Sequence, residues 1–220
     1  MCGIMGAYLE GPTQQQIDTL KKLFVESRVR GKHATGYSTF VQGELVTRNA
    51  PLSAELFVEN YFDDIQPGDY ELRLIGHTRY STSDLRYNQP IQIHADFAIA
   101  HNGVIDQRPP SYWGEYGYQL STSNDSELLY HCAHSGKEPL EEFPEASMAV
   151  CELRLLGGMA WYRNGKRPLY HAKVPNGWFV CSTADIALRA GLKEAERCTP
   201  GIVYRPHSLH KITEVKELVP

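Results

Sequence analysis

The stretch MCGIMGAY, residues 1–8, sets a cysteine directly behind Met1 and runs through glycine into apolar chain. Cys2 to Leu9 is short and mostly apolar and stops at Glu10-Gly11-Pro12, the pattern of a buried strand entering a turn. Loss of Met1 would leave the Cys2 thiol and a free α-amino group on one residue, a nucleophile and a base held together covalently. A free thiol ionises at about 8.5 and an α-amino group at about 7.7 to 8.0, so at neutral pH part of the amine is unprotonated and accepts the thiol proton. The same cysteine also reads as a small apolar strand position, the common fate of a free thiol. What the rest of the chain brings beside it decides between the two.

Working outward, Thr13 with Gln16 forms a capping signal, and Ile17, Leu20, Leu23 and Phe24 follow at helical spacing up to Arg30-Gly31. TGYSTFVQGELVTR (35–48) carries apolar positions on both sides of Gln42-Gly43, a hairpin signal. A short helix fits between Ala50 and Gly68. YELRLIGHTRYST (70–82) starts as a strand and is expected to run into a polar loop, and DFAIAHNGVI (96–105) repeats the plan, ending on His101-Asn102-Gly103. Ser123 to His134 reads as a capped helix. A strand-rich stretch follows through MAVCELRLL (148–156), GMAWYRNG (158–165), PLYHAK (168–173) and GWFVCST (177–183), then a short helix from Ala184 to Ala190 and further strand to the end. Strands at both ends with helices between them predict stacked sheet and helix layers, not a doubly wound parallel sheet. No glycine-rich phosphate loop is present.

The 220 residues suit one sizeable core, and a single domain over residues 1–220 is expected. With 22 Lys and Arg against 26 Asp and Glu the net charge is −4, which argues against a nucleic-acid partner for the bulk surface. Apolar runs fall far short of the roughly 20 residues that span a bilayer, so the expectation is a cytoplasmic chain with no membrane partner. Five cysteines without a close pair form neither a disulfide framework nor a zinc site, and Cys132, Cys151, Cys181 and Cys198 read as buried thiols. His131 with His134, and His207 with His210, repeat a three-residue spacing without a third ligand; no metal and no cofactor is expected.

Three further clusters carry chemistry. HNGVI (101–105) offers the Asn102 amide and the Gly103 N–H as oxyanion donors, although Asn-Gly is equally a hairpin turn. Arg79, in GHTRYST (76–82), presents a planar fork suited to a carboxylate. Asp125, in STSNDSELL (121–129), is placed to accept from an ammonium, or simply serves the dipole of the helix it begins. Together they describe an amino-acid pocket beside a thiol. Trp113 and its neighbouring tyrosines, in PPSYWGEYGY (109–118), are candidates to cover that pocket or to meet a partner, or are simply packed into their own loop.

CGIMG (2–6), RGKHATG (30–36), GHTRYST (76–82), HNGVI (101–105) and NDSELL (124–129), in this order, resemble the class II glutamine amidotransferases, over about Cys2 to Ser182. The resemblance implies a four-layer αββα sandwich of N-terminal-nucleophile hydrolase type, an α+β fold. It implies Cys2 as nucleophile with its own amine as base, and Asn102 and Gly103 as the oxyanion hole. Arg79 would hold the α-carboxylate of L-glutamine, assisted by Tyr80, Ser81 and Thr82; Asp125 would hold the α-ammonium, and Arg30 with Gly31 would wall the nucleophile. Glutamine would be hydrolysed to glutamate and ammonia through a γ-glutamyl thioester. Relatives continue into a synthase, phosphoribosyltransferase or synthetase domain, so a separate ammonia-accepting partner is expected, its chemistry open among modified-nucleoside, amino-sugar and amide synthesis. The chain departs from the family at Lys32-His33-Ala34-Thr35, at Tyr80 where Trp is usual, and at Ser83-Asp84 where His-Gly is usual. The competing readings are an N-terminal-nucleophile acylase on another amide, and a non-catalytic glutamine-sensing or assembly subunit. The oligomeric state, a homo-oligomer included, stays open.

Overall fold

The structure, a computed structural model, describes residues 2–68, 70–81, 88–208 and 211–215. In chain order its first half holds β1 (Gly3–Glu10), α1 (Gln14–Ser27), β2 (Ala34–Val41), β3 (Glu44–Ala50), α2 (Ala54–Tyr61), β4 (Glu71–Arg79) and β5 (Phe97–Val104). Then come α3 (Ser126–His134), α4 (Pro139–Glu142), β6 (Ser147–Arg154), β7 (Gly158–Arg163), β8 (Tyr170–Val174) and β9 (Gly177–Cys181). The last elements are α5 (Ala184–Arg189), β10 (Glu196–Arg197), β11 (Val203–Ser208) and β12 (Lys211–Val215). The strands form two antiparallel sheets, one ordered β10-β8-β9-β1-β4-β2-β3 and the other β12-β11-β7-β6-β5.

Alternation along the strands builds the layers. On β1, Met5, Ala7 and Leu9 face α1, α2 and α5, packing with Ile17, Leu20, Phe24 and Phe57. Ile4 and Tyr8 face the other way, onto Ala98, Ala100, Ala149, Cys151 and Trp161 of the second sheet. The outer face of that sheet, through Phe97, Ile99, Met148 and Val150, is covered by Leu128, Leu129 and Cys132 of α3. Helices, sheet, sheet and helices therefore stack in four layers, the α+β sandwich the sequence leads one to expect. Because β1 is buried on both faces, it reads as continuous apolar chain, as central strands do.

Local signals act where they fall. Thr13 and Gln16 form a reciprocal capping box at the start of α1. Gln42 and Gly43 turn β2 into β3 with positive φ at both positions, 52° and 85°, the geometry of a tight hairpin. Cys132, Cys151, Cys181 and Cys198 are buried thiols. Two expectations need correction. His101-Asn102-Gly103 is not a terminal loop: β5 continues to Val104, because Asn102 and Gly103 pair with Ala149 and Met148 of β6. Likewise β4 extends through Gly76-His77-Thr78-Arg79, held between β1 and β2. No helix among the described residues is long and apolar enough to cross a membrane.

Candidate active site

The register of the first sheet creates the site. Gly3 lies opposite Thr78, so the start of β1 places Cys2 beside Arg79 at the end of β4, while Ala34 at the start of β2 flanks Arg79 from the other side. Ser182 secures the first turn of this arrangement: its Oγ accepts from the Ile4 N–H at 2.8 Å and donates to the Ile4 carbonyl at 3.2 Å. Gly31 passes so close to β4 that a Cβ there would sit 2.6 Å from both the Thr78 oxygen and the Tyr80 nitrogen. Only glycine lets the loop after α1 seat against Arg79.

Arg30 and Asn102 converge on Cys2 itself. Arg30 Nε donates to the Cys2 carbonyl oxygen at 2.8 Å. With the Asn102 amide oriented as its neighbours require, its Nδ2 donates to the same carbonyl at 3.2 Å and its Oδ1 accepts from Arg30 Nη2 at 3.3 Å. Burial pushes the Arg30 pKa down, with Cys2 opposing and Arg167 adding, yet a guanidinium stays charged.

A cleft of about 620 Å³ opens where the sheets part, lined by Cys2, Arg79, Tyr80, Gly103 and Asp125, with Gln89, His101 and Trp113 beside them. Arg79 is buried, and its Nη1 donates to Asn88 Oδ1 at 3.0 Å. Asp125 Oδ2 accepts from the Ile105 N–H at 2.6 Å and gives no cap bond to its helix. That leaves Oδ1 of a carboxylate on the cleft wall. Tyr80 is half exposed at the rim, its ring 4.9 Å from that of His33.

Gly103 adds a backbone donor. The edge of β5 away from β6 presents the Ile99 N–H to the Ile91 oxygen at 3.0 Å and the His101 N–H to Gln89 Oε1 at 2.7 Å. By strand alternation the Gly103 N–H shares that edge, one step nearer the cleft. A Cβ on Gly103 would collide with the Ser147 carbonyl, so glycine is required there.

The cleft thus gathers Cys2, Arg79, Tyr80, Gly103 and Asp125. Arg30, Gly31 and Asn102 stand behind the cysteine, and Ser81, whose N–H donates to His33 Nδ1 at 3.0 Å, lies outside the lining. Thr82, and the departure at Ser83-Asp84, lie outside the described residues. His77 and His101 are buried, His101 in the cleft wall; burial drives the His77 pKa down to about 3 and pushes His101 down as well, so both are neutral at pH 7. Sequence reading missed Gln89, Ser126, Asp106 and Arg108 as lining residues. Asp106 accepts from Arg108 and from Tyr116 OH, and Arg108 also pairs with Glu115, which fixes the segment carrying Trp113 against the cleft. Among the described residues no cluster of three or more histidine, cysteine, aspartate or glutamate side chains is arranged to hold a metal.

Two antiparallel sheets between helix layers, with a cysteine leading into the first central strand, make the α+β sandwich that the sequence resemblance implies. The glutamine phosphoribosylpyrophosphate amidotransferase of B. subtilis superimposes with a TM-score of 0.67 at 22% identity, covering 92% of this chain and 46% of that one. A glutamine aminotransferase class-II domain protein from Silicibacter pomeroyi gives 0.58 at 12% identity, covering 99% of this chain and 100% of that one. At these identities the likeness is one of fold. In sequence the chain is similar to glutamine–fructose-6-phosphate aminotransferase (isomerizing) of Shewanella oneidensis, 29% identical over 141 residues, which are 61% of this chain and 22% of the relative. The enzyme of the same name from Streptomyces coelicolor is 27% identical over 157 residues, 69% of this chain and 25% of the relative. The chain therefore spans about a quarter of the length of the curated relatives it matches. No protein-family model matches it.

Proposed function

We propose that the chain is a glutaminase domain of the class II amidotransferase type, acting on L-glutamine with Cys2 as nucleophile. The observation that carries this reading is the convergence of Cys2, Arg79, Gly103 and Asp125 on one cleft, from strands and a helix far apart in sequence. Arg79 and Asp125 supply opposite charges for the α-carboxylate and α-ammonium, which an acylase acting on simple amides does not need.

In this mechanism the Cys2 sulfur gives its proton to the residue's own amine, freed by loss of Met1, and attacks the γ-carbonyl carbon. The oxyanion is met by the Gly103 N–H and by the Asn102 amide once that side chain turns from the Cys2 carbonyl. The C–N bond breaks as the amine returns the proton, ammonia leaves, and water hydrolyses the thioester to glutamate and free thiol. Ammonia protonates readily in water, so a nearby acceptor enzyme completes the function; the relatives' names point to amino-group transfer onto a sugar phosphate as one chemistry for it. The domain is read as spanning residues 1–220 and as cytoplasmic.

The test is direct. Purified chain is assayed for glutamate release with glutamine, and its intact mass is measured. Turnover that requires loss of Met1 and disappears in Cys2→Ala supports the reading; equal turnover in Cys2→Ala refutes it.

A further inference from the structure

Behind the oxyanion edge lies a closed hydrogen-bonded ring that the reaction above does not use. Gln89 Oε1 accepts from the His101 N–H at 2.7 Å, and Gln89 Nε2 donates to Ser126 Oγ at 3.1 Å. Ser126 Oγ lies 2.8 Å from His101 Nδ1, and His101 Nε2 lies 3.3 Å from the Ser147 carbonyl oxygen. Gln89, His101 and Ser126 are 6%, 1% and 2% exposed, so these bonds lie in the wall of the cleft, largely shielded from water.

Chemistry fixes the protons. A carbonyl oxygen only accepts, so Nε2 carries the ring hydrogen; Nδ1 is then an acceptor and takes the Ser126 hydroxyl proton. Ser126 Oγ uses its lone pairs for Gln89, and every polar atom of the ring is satisfied. Gly103 belongs to the same device: a Cβ there would stand 2.7 Å from His101 Nε2 and strike the Ser147 oxygen that Nε2 reaches. Ser126 follows Asp125 directly, at the start of α3, whereas His101 precedes the Asn102-Gly103 pair on β5. One imidazole therefore joins the strand that would bear the oxyanion donors to the turn that would bear the ammonium acceptor.

We propose that His101 is a positioning residue of this site, clamped as the Nε2–H tautomer between Ser126 and Ser147 so that Gly103 and Asp125 keep a fixed separation. The proposal rests on the glutaminase reading above. Protonation would give the ring two donors, leaving the Ser126 hydroxyl without its acceptor. Burial opposes that charge; Asp125 and the bond to the Ser147 carbonyl favour it, Arg167 from the turn after β7 opposes it, and the neutral His77 of β4 is also close.

Ser126→Ala removes the hydroxyl with the least change of volume. The expected result is a fall in kcat/KM for glutamine of about tenfold to a hundredfold, the scale of a misplaced reacting geometry. In nitrogen NMR the His101 ring of the variant should take up its proton at a higher pH than in the wild type, because the imidazole has lost the donor that held it neutral. Unchanged kcat/KM, or a loss with the ring's titration unmoved, overturns the proposal. In the wild-type chain, nitrogen NMR of the His101 ring at pH 6 should show a neutral imidazole protonated at Nε2. A protonated ring or an Nδ1–H tautomer overturns it too. A wild-type chain that turns over no glutamine would sink the glutaminase reading, while the ring nitrogens would still decide the clamp.

Discussion

Arg30 Nε donates to the carbonyl oxygen of Cys2 at 2.8 Å, so the residue proposed as nucleophile is gripped by its backbone and not by its sulfur. The grip comes from the loop after α1, whose seat depends on Gly31, and is doubled by Asn102 from the opposite sheet. A strand end frays unless something holds it. Here a cation and an amide from two different layers do so, and Cys2 stays on the cleft wall.

Arg30→Lys tests that grip. Lysine keeps the charge but lacks the planar fork that serves the Cys2 carbonyl through Nε and Asn102 through Nη2 together. The expected outcome in steady-state glutaminase assays is a drop in kcat of about tenfold to a hundredfold, with KM changing by less than about threefold. A lysine variant with full kcat would show that charge alone suffices.

Gly31→Ala tests the seat. The added methyl meets backbone atoms of Thr78 and Tyr80, which cannot rotate away, and the cost of such overpacking is about 1 to 3 kcal/mol. Because the collision is with the strand end that carries Arg79, KM for glutamine should rise by about tenfold or more along with the loss of stability. Urea unfolding and assay of the same preparation check both. A destabilised variant with normal KM would place Arg79 outside substrate binding.

Buried neutral histidine gives a pH signature. His77 has its pKa lowered to about 3 by burial, helped by the charges of Arg79 and His101 and opposed by a backbone hydrogen bond with His101. The unfolded chain takes up this proton near pH 6.5 and the folded one does not, so stability is full above that pH. It is lost as pH falls from there towards 3, at about 1.4 kcal/mol per pH unit for this group. In His77→Gln the slope of unfolding free energy against pH between 6 and 4 should flatten by that amount. An unchanged slope would mean that His77 is not buried neutral.

Much of this was legible in the sequence, and the parts that were not share one cause. β1 announced itself because both faces are buried, and α1 because Thr13 and Gln16 make a cap that acts within four residues. Asn102-Gly103 misled because a local turn signal was overruled by pairing with Ala149 and Met148, far along the chain. Gln89 and Ser126 were invisible for the same reason: each is an ordinary polar residue whose meaning comes from partners 12, 25 and 37 positions away. The chemistry of short local clusters picked out Arg79, Gly103 and Asp125, and the fold set them on one cleft with Cys2.

Asp125 separates binding from architecture most cleanly. Its Oδ2 accepts from the Ile105 N–H at 2.6 Å, a bond that holds the end of β5 to the start of α3. Asparagine keeps an oxygen for that bond and removes the negative charge, so Asp125→Asn should melt within a few degrees of the wild type. An ammonium held by a carboxylate loses about 1.5 to 3 kcal/mol when the charge goes, which is a rise in KM of roughly tenfold to a hundredfold. Because the α-ammonium is bound equally in ground and transition states, kcat should change little. Isothermal titration of glutamine into a Cys2→Ala background reads the same loss without turnover. If Asp125→Asn melts normally and binds glutamine as tightly as its parent, the carboxylate serves only Ile105, and the charged clamp on which the glutamine reading depends is gone.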